Sequence, residues 1–282
     1  MIYVSSSCVK AKTIGDAVRQ LHAAGFQCIE LSGGTQPYPE MENELRELQA
    51  KYGLRFLCHN YFPPPSVPFV VNLASLNDQI YTMTMEHLQR AVQLSKLLNA
   101  DKFGFHAGFL MDIPTDEIGR SIAQKKLFDR HAAVERFRSG FLELQELAGD
   151  LKLYVENNVV SQTNLRNFEG INPLLATDLH SIRELRGPMS MNFIIDVAHL
   201  KVSCNTLGLN FTDELSTLLK ESDYIHISDN DGAADTNQAF IRKSGLYEAL
   251  KRNNLKGKTF TLEVYSGIKD LISGYEALNE II

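Results

Sequence analysis

The sequence predicts an α/β fold of one kind, a closed (β/α)8 or TIM barrel, and three observations carry that reading. Short apolar strands alternate eight times with helical or connecting stretches, with no linker between units, which calls for parallel strands and right-handed crossovers. The chain has 282 residues, near the roughly 250 of a barrel built as one unit, so 1–282 reads as a single domain. Several strands end in acidic or imidazole side chains, and such barrels keep their active sites at the C-terminal strand ends.

The first unit is a strand over Ile2–Ser6 and a helix over Thr13–Ala24. Thr13 followed by Asp16 resembles a capping box, and Gly25 is placed to stop the helix in a left-handed conformation. A strand over Cys28–Leu31 and a helix from about Glu40 to Tyr52, stopped at Gly53, repeat the pattern. The third strand is Arg55–His59. The loop after it, Asn60–Ala74, holds Pro63–Pro65 and Pro68 and is a stiff non-helical excursion, either a lid or a structural crossover. Ser75 or Asn77 caps the next helix, which runs to about Leu98. The fourth strand is Lys102–His106, with a loop and a helix from about Lys125 to Ala148. The fifth, Leu153–Glu156, leads through Asn157–Asn172 to Pro173 and a helix ending near Leu185. The sixth strand is Met191–Asp196, with no helix assigned after it. The seventh unit starts at Asp223, with a strand over Tyr224–Ser228 and a helix at about Leu246–Arg252. The eighth strand, Thr259–Glu263, precedes a closing helix from about Ile268 to Ile282.

Alternation along the strands sorts their faces. If His106, Glu156, Asp196, His226 and Glu263 face the axis, so do Lys102, Tyr154, Asn192, Tyr224 and Thr261. The opposite face is then wholly apolar: Phe103, Phe105, Leu153, Val155, Phe193, Ile195, Ile225, Ile227, Phe260 and Leu262. The same phase turns Glu30 and His59 inward.

The bulk numbers narrow the class. The net charge of −6 disfavours a nucleic-acid partner, whose phosphates want a basic face. No apolar run approaches the roughly 20 residues of a membrane helix, and the start of the chain has no basic leader, so no signal peptide is expected. Four dispersed cysteines fit a reduced, cytoplasmic protein. No P-loop and no dinucleotide fingerprint occurs.

The inward set at the strand ends is chemically specific. Glu156, Asp196, His226 and Glu263 form a mixed oxygen and nitrogen shell for a divalent ion such as Mn²⁺, Co²⁺ or Zn²⁺. With three anionic ligands the ion offsets repulsion among the acids. His199 reaches the same pocket only if the chain turns after Asp196, and there it takes either a second metal or a substrate oxygen. His59, His106, Glu30 and Asp229 are the remaining candidates for substrate binding or a second metal. His22, His87, His131 and His180 fall in helical stretches and read as surface or interface residues. Lys201, Arg242 and Lys243 lie near the pocket-side loops and are read as solvated, with a phosphate grip as the alternative.

Val155-Glu-Asn157, Asp196-Val-Ala-His199, Tyr224-Ile-His-Ile-Ser-Asp229 and Leu262-Glu263, with His59 and His106 upstream, resemble the xylose-isomerase-like barrel superfamily along essentially the whole chain. That superfamily holds sugar isomerases, sugar epimerases and endonuclease IV. The resemblance implies a metal-dependent enzyme of carbohydrate metabolism acting on a small sugar or sugar phosphate. One metal would be held by Glu156, Asp196, His226 and Glu263. Glu156 and Glu263 would be the proton-transfer groups and an ene-diolate the intermediate, with His106 and His199 on substrate oxygens. The endonuclease branch also expects an Asp-x-His after strand seven; here Asp235-Thr-Asn237 has Asn in place of His. A zinc phosphodiesterase on abasic DNA and a non-catalytic sugar-binding barrel are the alternatives. Which sugar, and whether the chain forms a homo-oligomer, stay open.

Overall fold

A computed structural model describes residues 1–282. Eight parallel strands close in sequence order: β1 (Ile2–Ser5), β2 (Cys28–Leu31), β3 (Arg55–His59), β4 (Lys102–His106), β5 (Lys152–Glu156), β6 (Asn192–Asp196), β7 (Tyr224–Ile227) and β8 (Thr259–Leu262). The seam pairs Ile2 with Phe260 and Val4 with Leu262. Ten helices accompany them: α1 (Ile14–Ala23), α2 (Met41–Tyr52), α3 (Asp78–Leu97), α4 (Arg130–Ala148), α5 (Gln162–Asn167), α6 (Leu179–Arg186), α7 (Val197–Leu207), α8 (Phe211–Glu221), α9 (Gly245–Lys251) and α10 (Ile268–Asn279). No helix is long and apolar enough to cross a membrane.

The faces sort as the alternation requires. All ten apolar residues assigned outward from β4 to β8 belong to one core of 66 buried residues, packed beneath the helix ring. Tyr3, Leu57, Tyr154, Ile194 and Tyr224 form a separate cluster inside the barrel. Gly104 also faces inward, where a Cβ would lie 2.2 Å from Ile194 Cδ1; the small residue makes room for the large one across the layer. The inward polar groups low in the barrel are paired. Tyr154 donates to Asp223 at 2.7 Å and Lys102 to Asp101 at 2.6 Å.

Several expectations need correction. The stretch between β6 and β7 carries two helices, α7 and α8. Its signals were readable: Gly208 is left-handed after α7, and Asn210 caps α8 ahead of the acidic pair Asp213–Glu214. α4 starts at Arg130 rather than Lys125 because Asp129 accepts from Ala132 N at 2.8 Å and so sets the cap. The Asn157–Asn172 stretch includes α5, capped by Ser161. His87 is buried, not a surface residue, and its Nε2 lies 2.8 Å from the Asn60 carbonyl.

Above the barrel mouth the loops have their own small core, including Phe109, Ile113, Ile122, Phe168 and Leu174. The proline-rich loop is packed rather than loose: Phe62 is buried and Tyr61 Oη accepts from Val71 N at 3.1 Å. Buried asparagines fasten these loops. Asn72 accepts from Phe109 N at 2.9 Å and donates to the Phe109 and Met111 carbonyls. Asn158 Nδ2 donates to the carbonyls of Ala107, Gly108 and Leu175 at 2.7–3.1 Å. Asn158→Leu leaves buried acceptors without a donor and is expected to destabilise the fold by about 2–4 kcal/mol. Urea unfolding measures this; a loss under about 0.5 kcal/mol would mean that apolar contacts alone hold the loops.

Candidate metal centre

The C-terminal strand ends bring the inward residues to one place. Register sets Asp196 of β6 beside His226 of β7, and His106 of β4 beside Glu156 of β5. Glu156, Asp196, His226 and Glu263 each offer one ligand atom, and these atoms lie within 4.8 Å of one another. His59, His106 and Glu156 form a second such group, and Glu30, His59, His226 and Glu263 a third.

Glu156 is the hub. Its Oε2 lies 2.8 Å from His59 Nε2 and 3.1 Å from His106 Nδ1; its Oε1 lies 3.0 Å from His226 Nδ1. His226 Nδ1 is also 3.8 Å from Glu263 Oε2. On the other side of that ring, Nε2 sits 3.2 Å from Glu30 Oε2, which also accepts from Tyr224 and from Thr261. Glu30 therefore lies beneath the imidazole, fully buried, and lines neither cavity at the mouth. A carboxylate there fixes the ring orientation and tautomer, as outer-shell partners of metal-binding histidines do.

Asp196 is both the last residue of β6 and the N-cap of α7, accepting from His199 N at 2.7 Å. The helix begins at once, so His199 comes round one turn to the same pocket. Its Nδ1 faces the Asn157 carbonyl at 2.8 Å and its Nε2 faces Asp235 Oδ2 at 3.2 Å. Asn157 ties the two strand ends together. Its Oδ1 accepts from Asp196 N at 2.7 Å and its Nδ2 donates to the Asp196 carbonyl at 3.1 Å. Asn157 was not assigned a site role from the sequence, where a buried-strand Glu followed directly by Asn was the available signal; Asp235 stood out only through the Asp-x-His pattern of the endonuclease branch.

Burial and mutual charge perturb Glu156, Asp196, Glu263 and the imidazoles around them. Burial would raise the Glu156 carboxyl, but His106, His59 and His226 outweigh it and hold it well below the usual carboxylate range. Burial pushes Asp196 up to about 6 and Glu263 up to about 7, with Glu156 adding to both. Burial also pushes His106 down to about 4. For His226 burial is overcome by Glu30 and Glu156, and for His199 by Asp196 and Asp235, so both rise well above the ordinary imidazole value.

The donor set fits a divalent cation. Glu156 Oε1, Asp196 Oδ2 and His226 Nδ1 are buried without a hydrogen-bond partner, even though Glu156 Oε1 and His226 Nδ1 are only 3.0 Å apart. Buried polar atoms seldom go unpaired, and buried ligand atoms that converge on one point suit a common ion. Carboxylates with an imidazole match an ion such as Mn²⁺, Co²⁺ or Zn²⁺.

Other expected contributors are occupied elsewhere. Asp229 pairs with Lys201 Nζ at 2.6 Å, and Arg242 pairs with Glu280 at 2.7 Å. Asp229 is thus no member of the cluster, and Lys201 and Arg242 are each ion-paired with a neighbouring acid. Two adjoining cavities open over the site, of about 620 and 320 Å³. His106, His199 and Asp235 line both; Glu263 and His59 line the smaller.

Comparison with known proteins agrees with this architecture. A family model described as xylose isomerase-like TIM barrel matches residues 18–281. A D-tagatose 3-epimerase-like protein superposes with a TM-score of 0.73 at 19% identity, covering 99% of this chain and 96% of its own. L-ribulose 3-epimerase gives 0.65 at 14% identity, over 98% and 86%. Endonuclease IV from Thermus thermophilus gives 0.60 at 18% identity, over 99% of each. At such identities the likeness speaks for the fold. No curated protein sequence matches the chain.

Proposed function

Because the chain belongs to the xylose isomerase-like TIM barrel family, we propose that it is a divalent-metal-dependent sugar isomerase or epimerase. The observation that carries this reading is the convergence of Glu156, Asp196, His226 and Glu263, with buried donor atoms left unpaired. These four would hold the ion. When bound, it would supply Lewis acidity to the carbonyl and neighbouring hydroxyl oxygens of a sugar.

One of Glu156 and Glu263 removes the proton on the carbon beside the carbonyl, leaving an ene-diolate. The other returns a proton. Delivery to the opposite face of the same carbon gives an epimer, and delivery to the neighbouring carbon, with the hydroxyl proton passing from one oxygen to the other, gives an isomer. His59, 2.8 Å from Glu156, holds that carboxylate in place. Glu30 keeps the His226 ring turned so that Nδ1 faces Glu156 and Glu263. His106 and His199 line both cavities, where they orient substrate oxygens.

The test is proton exchange from a panel of free ketoses in deuterated water, with Mn²⁺, Co²⁺ or Zn²⁺ supplied. Deuterium entering next to the carbonyl only when metal is present is the expected result. Exchange indifferent to a chelator contradicts the proposal. A second reading has its own support: His59, His106 and Glu156 form a further ligand group, and His199 with Asp235 stands beside it. It corresponds to a multi-zinc phosphodiesterase resembling endonuclease IV. Asn237 occupies the position where that pattern calls for His. Three zinc ions per chain with cleavage of abasic DNA would favour the second reading; one ion per chain favours the first.

A further inference from the structure

Among the buried, unpaired atoms at the barrel mouth, Asn60 Oδ1 belongs to none of the three groups that could hold an ion. Asn60 follows His59 at the end of β3, is 3% exposed, and lines the smaller cavity together with His59 and Glu263. We propose that Asn60 is a specificity-determining residue, whose amide recognises a sugar hydroxyl on a carbon that takes no part in the proton transfer. The inference rests on the sugar isomerase or epimerase reading of the site.

The backbone of Asn60 is fully engaged. Its N–H donates to the Gly104 carbonyl at 2.8 Å, and its own carbonyl accepts from His87 Nε2 at 2.8 Å. The side-chain amide is the polar group left over. The residue is left-handed, with φ of 42°, a conformation that favours Gly and tolerates Asn. Glycine would meet that need without burying an amide oxygen that has no partner in the protein, which is costly. The turn therefore accounts for the backbone, and what enters the cavity accounts for the amide.

The chemistry of the place selects a hydroxyl. An amide offers both a donor and an acceptor, and so does a hydroxyl. Asp235 Oδ1 is a second buried oxygen without a partner on the same cavity, and no Arg or Lys lines it. A carboxylate or a phosphate dianion brings no donor to either oxygen. Because Asn60 stands outside the ligand groups, the hydroxyl it meets lies beyond the carbonyl and the neighbouring oxygen. A sugar that misplaces this hydroxyl displaces water from the amide and returns nothing, which is how buried hydrogen-bonding groups discriminate between substrates. No bond to that hydroxyl is broken, so the proton transfer needs no further reactant.

The test uses the full chain saturated with Mn²⁺ and deuterium exchange from D-fructose, D-tagatose, which is inverted at C4, and L-sorbose, which is inverted at C5. The wild type is expected to separate the best from the worst of these by about tenfold or more in kcat/KM. Asn60→Gly keeps the left-handed backbone and deletes the amide. It should raise KM for the best ketose by about 3–10-fold, leave kcat nearly unchanged and narrow the spread by a similar factor. Asn60→Asp, which keeps the shape and replaces the donor by an oxygen, should move KM in the same direction. A second readout needs no turnover: the side-chain amide protons of Asn60, assigned by NMR in ordinary water through their loss in Asn60→Gly, should shift when the best ketose is added. Equal use of the three ketoses by the wild type, or an unchanged KM and spread in both variants, overturns the proposal, as does a fall in kcat alone. Exchange without movement of the amide signals removes Asn60 and keeps the catalytic reading. An amide shift without exchange keeps Asn60 as a sugar contact and removes catalysis; neither exchange nor shift overturns both.

Discussion

Glu156→Gln is expected to lower metal-dependent proton exchange by about 10²–10⁴-fold, the range that a positioned acid or base contributes. The substitution keeps shape and volume but removes the basic oxygen. Its surroundings are unusually demanding of charge: three imidazoles lie within 3.1 Å of the two carboxylate oxygens. If Glu156 only organised those rings, an amide would preserve most of the rate. If it moves a proton, kcat falls while KM changes little. Because the residue is also proposed to hold the ion, the assay is run over a range of metal concentrations and compared at saturation. Glu263→Gln is the matching variant on the other side of His226. Wild-type kcat in both, with metal bound, would remove the proton-transfer role from the pair.

Asp196→Asn is expected to weaken divalent-metal binding by at least about 10–100-fold, the loss seen even for groups one layer behind the ligands. Its melting temperature without metal should stay near wild type. Asp196 serves two purposes, and the variants separate them. One carboxylate oxygen caps α7 through His199 N; the other is buried and unpaired. Asn keeps a carbonyl oxygen for the cap and loses the anionic ligand. Asp196→Ala loses both and should cost about a further 1 kcal/mol of stability. Metal titration by calorimetry, beside thermal melts of the metal-free proteins, reads the two effects apart. Wild-type metal affinity in Asp196→Asn would mean that the carboxylate caps a helix and nothing more.

Much of the arrangement was legible because strand periodicity is a local property. The outward residues from Phe103 to Leu262 announced the core under the helices, and the inward acids and imidazoles announced the mouth. Depth was not legible. Glu30 has the right phase, but it pairs with Leu57, two residues below His59, so it lies a layer deeper, under His226. Barrel strands are staggered, and the layer a residue joins depends on register with its neighbours, which no single strand encodes. Loop residues failed for a related reason. Asp229 looked like a ligand by its place after β7, and its partner, Lys201, comes from α7. His199 was left open because a residue three beyond Asp196 faces the opposite way in a strand and the same way in a helix; the cap at Asp196 decides it.

The most direct measurement is an anomalous-scattering map from crystals grown with Zn²⁺. The expected peak lies about 2.0–2.2 Å from carboxylate oxygens of Glu156, Asp196 and Glu263 and from His226 Nδ1. A map with no peak among these four, from protein that still exchanges substrate protons, would contradict the account.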